Sequence, residues 1–142
     1  MERQNRSLAS AFCSYFFAYF FFSVDQNEFK RILADIDVGL FSLSAKHTAH
    51  NFPGKLLGYM VESLPILGSI NQDNDLIDLI HEFDAGFISI NGNDELFFDN
   101  AVKLYKSEEL RIKMGLGGNN LLRQQFDVSN IASTITQSLA NI

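Results

Sequence analysis

The sequence predicts an α/β domain, a parallel sheet of short buried strands flanked by helices. Three observations lead there. Short continuous apolar runs of strand length alternate with segments of helical periodicity from Val24 onward. Capping and turn residues separate them, notably Asp25, Asp73-Asn74 and Asn91-Gly92-Asn93. The 142 residues, 46% hydrophobic at a mean hydropathy of +0.02, suit a single core, and residues 24–142 carry no repeat, low-complexity linker or second domain.

Residues 1–23 stand apart. Eight of the eleven positions from Phe12 to Phe22 are Phe or Tyr, with no charge among them. Arg3 and Arg6 precede the run as in a signal peptide, yet Glu2 dilutes the basic region and no small-x-small cleavage site follows Phe22. Leu8–Phe22 is also short for a bilayer, which needs about 20 residues. The segment reads as a buried strand, with self-association, a membrane tether, or residues foreign to the fold, such as a shifted reading frame, as the alternatives. Cys13 cannot form an internal disulfide because it is the single cysteine, which fits a reducing compartment or a buried thiol.

Beyond Ser23 the elements follow in order. Val24–Ala34 has Phe29, Ile32 and Leu33 at helical spacing, with Asp25 near its start. Asp37–Leu43 is an apolar run expected to be a strand covered on both faces. A polar loop, residues 44–51, leads to a helix opening at Pro53, where a missing N–H is tolerated, and continuing through Leu56, Leu57, Met60 and Leu64 until Leu64-Pro65 ends it. Ile66–Ser69 is the second strand, and Asp73 or Asn74 caps a helix carrying Leu76, Ile77, Leu79 and Ile80. Phe87–Ile90 is the third strand. Asp94 is expected to cap a helix with Leu96, Phe97, Val102 and Leu104 on its apolar side, and helices over residues 108–125 and 128–139 close the chain. Such alternation predicts right-handed βαβ units.

In such sheets ligands bind beyond the carboxyl ends of the strands, which puts the loop after the first strand at the centre of the site hypothesis. It contains Lys46, His47, His50 and Asn51, and continues into Phe52, Gly54 and Lys55. Lys55 falls in the first turn, where the helix dipole disfavours a cation, so an anion sharing that space explains it; a solvated lysine explains it equally. His47 and His50 lack a third partner for a metal, since His81 belongs to a later helix. Solvated loop histidines are the plainer reading, and donors to a diphosphate or a sugar hydroxyl the functional one. Gly58 shares a helical face with Gly54, admitting close approach of a ligand or of another helix. A net charge of −6 and a pI near 4.9 argue against a nucleic-acid surface, so any anion must be held by amides and a few cations.

Several segments carry a resemblance. Ala34-Asp-Ile-Asp-Val-Gly-Leu40, Phe52-Pro-Gly-Lys-Leu-Leu57 with Tyr59-Met60, Leu64-Pro-Ile-Leu-Gly68, and Met114-Gly115 with Phe126 are similar to the carboxy-terminal half of a glycosyltransferase of family 4. Residues 31–139 resemble that half, and the loop Lys46–Asn51 with Asn74-Asp75-Leu76 resembles the bacterial N-acetylfucosamine-type branch. The resemblance implies a Rossmann-like, GT-B donor-binding domain over residues 24–142, truncated on its amino-terminal side. It implies a nucleoside-diphosphate sugar as substrate, no metal, and retention at the anomeric carbon. It also implies an opposing acceptor domain missing from this chain and work on bacterial surface polysaccharide in the cytoplasm, with the inner membrane face as a peripheral location.

By the same resemblance Lys55 and the amides of Phe52 and Gly54 would hold phosphate, with Lys46, His47, His50 and Asn51 beside them. The family's two glutamates, seven residues apart, fall on His50 and Gly58, so sugar recognition passes to His50 and ribose recognition is left unassigned. Glu62 lies four residues too late. The Arg and Lys that neutralise the family's diphosphate are expected on strands this chain lacks. The implied domain binds a donor without transferring it; a noncatalytic nucleotide-binding or assembly module of the same fold is the alternative.

Overall fold

The computed structural model describes residues 24–44, 46 and 52–140. The aromatic segment 1–23, with its expected strand and Cys13, lies outside the described residues, as do His47, His50 and Asn51.

Asp25 caps the first helix, α1 (Gln26–Ala34), its carboxylate accepting from the amides of Asn27 and Glu28 at 2.8 and 2.9 Å. Two donors of the first turn are thereby satisfied. There follow β1 (Gly39–Ser42), α2 (Lys55–Val61), β2 (Ile66–Ile70), α3 (Leu76–Glu82) and β3 (Gly86–Ile90), then α4 (Asp94–Lys106), α5 (Glu108–Gln125) and α6 (Val128–Ala140).

The strands pair in parallel in the order β1-β2-β3, with Leu40 beside Leu67 and Leu67 beside Phe87. Because the chain steps one way across the sheet, right-handed crossovers place α2 and α3 on the same face. There Phe41, Ile66, Ile70 and Ile88 pack with Leu56 and Met60 of α2, Ile80 of α3 and Leu121 of α5. The other face presents Leu67 and Phe87 to Phe97, Ala101 and Leu104 of α4 and to Leu110 and Met114 of α5. The fold is α/β and Rossmann-like, a parallel sheet between helical layers.

Four local expectations are corrected. β1 is not covered on both faces, because α4 packs on β2 and β3 and leaves Leu40 56% exposed. Asn93, not Asp94, caps α4: its side chain accepts from the Leu96 amide at 3.1 Å, and Asp94 is the first helical residue, where its charge suits the dipole. Leu96 is exposed, and the buried side of α4 runs through Phe97, Ala101 and Leu104. The helix expected from Pro53 begins at Lys55, although the Pro53 carbonyl already accepts from the Leu56 amide at 2.9 Å. Asn74 serves α3 as foreseen, accepting from the Leu76 amide at 3.0 Å.

Two helices are locked together by backbone approach. A methyl on Gly115 of α5 would fall on the Ser63 carbonyl oxygen, in the turn after α2. Nearby, Asn119 donates to the Met60 carbonyl at 3.1 Å, satisfying an acceptor near the end of α2. Farther along, Phe126 meets Phe52 with ring centroids 4.7 Å apart.

Candidate functional site

Parallel strands end together, so the loops after β1, β2 and β3 gather at one edge of the sheet. The loop after β1 runs from Leu43 to Gly54 and delivers the chain to α2. Lys46 lies exposed in it, its amide 3.3 Å from the Ser44 hydroxyl. Phe52 is half-buried, held between the core and Phe126. Gly54 is the residue before α2, with no side chain capping the helix and no atom within 4 Å of where its Cβ would stand. Lys55 is the first helical residue and is exposed. Phe52, Gly54 and Lys55 therefore share the mouth of α2, where Gly54 and Lys55 are exposed and Phe52 is packed.

Gly58 is placed elsewhere. A Cβ there would stand 3.1 Å from Leu33 and 3.3 Å from Phe29, so the missing side chain makes room for α1. Packing of two helices accounts for this glycine, and the position that aligns with the family's second glutamate is turned toward α1.

The loop is anchored by groups that the sequence did not single out. Gly39 and Leu43 donate from their backbone to Pro65 and Ser69, both at 2.9 Å, so alternate residues of β1 from Gly39 to Leu43 turn their backbone toward β2. Past the end of β1 that ladder is continued by side chains. The Asn91 carboxamide nitrogen donates to the Leu43 carbonyl at 3.0 Å and to the Asn71 Oδ1 at 2.7 Å, while its Oδ1 accepts from the Ser69 hydroxyl at 2.8 Å. Asn71 donates to the Ser44 carbonyl at 3.3 Å. The Asn91-Gly92 turn was legible; the reach of Asn91 over the end of β2 was not, since its partners stand 20, 22 and 48 residues away.

A groove of about 310 Å³ lies at the opposite edge, lined by Asp37 before β1, Glu62 and Pro65 before β2, and Glu108 and Arg111 of α5. It is on the amino-terminal side of the sheet, away from the loop after β1. Arg111 is turned to the end of α4, donating to the Leu104 carbonyl at 2.7 Å.

Among the described residues no group of three or more His, Cys, Asp or Glu side chains is placed to hold a metal. No described helix is long and apolar enough to cross a membrane. No protein-family model matches this chain, and no curated protein or solved structure matches it significantly.

Proposed function

We propose that the chain is the donor-binding half of a retaining, nucleotide-sugar-dependent glycosyltransferase of bacterial surface polysaccharide assembly, acting in the cytoplasm or peripherally at the inner membrane face. The observation that carries the reading is the mouth of α2: open space at Gly54 and the exposed Lys55 at the carboxyl edge of a parallel sheet. The resemblance of residues 31–139 supplies the chemistry. The leaving nucleoside diphosphate would be stabilised by Lys55 and by the amides of Phe52 and Gly54, with Lys46, His47, His50 and Asn51 serving sugar and phosphate. An acceptor hydroxyl, held by an opposing domain, would attack the anomeric carbon.

Gly58 favours a second reading, a noncatalytic nucleotide binder of the same fold, because the position expected to meet ribose is occupied by packing against α1. Both readings require nucleotide binding; they part on whether the domain supports transfer when an acceptor domain opposes it, positioning the acceptor and excluding water.

Titration of UDP and GDP into the wild type and Lys55→Ala tests the shared part. Loss of a charge-assisted contact is expected to weaken binding about tenfold or more. Equal affinities would remove Lys55 from the site, and no binding by the wild type would end both readings.

A further inference from the structure

We infer that Asn91 is a positioning residue: its carboxamide holds the root of the β1–α2 loop in place, and so sets the geometry of the donor site from the far side of the sheet. The inference rests on the reading of that loop as a donor site, but its structural half stands without it.

Three features single out Asn91. First, every hydrogen-bonding group of its carboxamide is engaged: both N–H groups donate, to the Leu43 carbonyl and to Asn71, and the oxygen accepts from Ser69. Second, its own backbone is fixed, because its amide donates to the Ile70 carbonyl at 2.8 Å and so belongs to the β2–β3 ladder. Third, the carbonyls of Leu43 and Ser44, the first residues of the loop, are satisfied from outside their own strand, by Asn91 and Asn71. A rigid element thus grips Leu43 at a half-buried position, where such a bond is less exchanged with water, and Asn71 extends the hold to the exposed Ser44. Asn91 touches no reacting group. It acts through Leu43 and, by way of Asn71, through Ser44, in the same loop as Lys46.

The test is amide hydrogen exchange on the full chain, joined to nucleotide titration. Asn91→Asp keeps the acceptor for Ser69 but removes both donations, and Asn91→Ala is the second variant should the charge disturb folding. Ser69→Ala is the control, removing one contact to Asn91 while leaving both donations. In the Asn91 variants, exchange at Leu43 and Lys46, whose amides donate to the Ser69 carbonyl and the Ser44 hydroxyl, is expected to rise about tenfold, the scale of one to two lost hydrogen bonds. Exchange in β2 and β3 should stay at the wild-type level, and Ser69→Ala should leave the loop within about twofold of wild type. UDP or GDP binding should weaken at least fivefold in the Asn91 variants. Unchanged loop exchange in both Asn91 variants would overturn the inference, and so would a rise spread evenly through the sheet, which marks a merely structural role. If the wild type binds neither nucleotide while the loop still loosens, the donor-site reading falls and the grip of Asn91 on the loop stands.

Discussion

Gly58 and Gly115 look alike in the sequence, each a glycine within a helix, and at each a costly residue calls for a reason. The reasons differ in kind. At Gly58 an added methyl would meet the ends of the Leu33 and Phe29 side chains, at 3.1 and 3.3 Å, and these can rotate or shift by tenths of an ångström. At Gly115 it would meet the Ser63 backbone, which cannot yield without moving the turn after α2. Gly58→Ala is therefore expected to be nearly neutral, a gain of about 1 kcal/mol in helix propensity offsetting the crowding. Gly115→Ala is expected to cost about 1–3 kcal/mol. Urea denaturation of the two variants checks the contrast, and equal effects would refute it.

At the scale of elements, β1 is, among the described residues, a short edge strand without a charged residue or proline, the kind of edge that invites pairing with another chain. Part of its protection comes from α2. Tyr59 lays its ring over Gly39, where a Cβ would collide with it, and its hydroxyl donates to the Leu40 carbonyl at 2.9 Å. Since Gly39 and Leu43 turn toward β2, the Leu40 carbonyl points to the open edge, and Tyr59 occupies it. Burial disfavours the phenolate and raises the Tyr59 pKa above the usual tyrosine value. The folded state therefore keeps a proton that the unfolded chain releases from about pH 10, the ordinary tyrosine value, so this group's contribution to stability is intact below that pH and declines as pH rises toward the folded-state pKa. Tyr59→Phe is expected to cost about 1 kcal/mol at neutral pH and to lose less stability than the wild type between about pH 10 and 11. Parallel stability curves for the two proteins across that window would contradict the assignment.

At the scale of the molecule, stability is concentrated in the sheet and in α2, α3 and α5. The last helix, α6, makes no extensive contact with another described element, and Val128 and Leu139 at its ends are 79% and 66% exposed. Its amides are expected to exchange well before those of α5, through local rather than global opening. Equal protection of the two helices would show that α6 is bound into the core. Much of this architecture was legible because periodicity is local: the alternation of apolar runs with helical spacing locates the described strands and helices to within a turn. What escaped the sequence depends on distant partners. Leu40 is exposed because of where α4 lands, and the grip of Asn91 joins residues of all three strand ends. Of the candidate site, Lys55 and Gly54 were placed by the helix start alone, whereas the direction of Gly58 required knowing that α1 lies against it.

The contact of Gly115 with Ser63 also makes α5 a beam on a fulcrum. One arm runs back about 10 Å to Glu108 in the groove at the amino-terminal edge, and the other runs forward about 16 Å to Phe126, which bears on Phe52 at the mouth of α2. Gly117 rests on the carbonyls of Phe83 and Asp84, so the pivot is supported from the α3–β3 side as well. Because Met114 packs on one arm and Leu121 on the other, the same beam ties the groove lining to Phe52 through a single continuous helix.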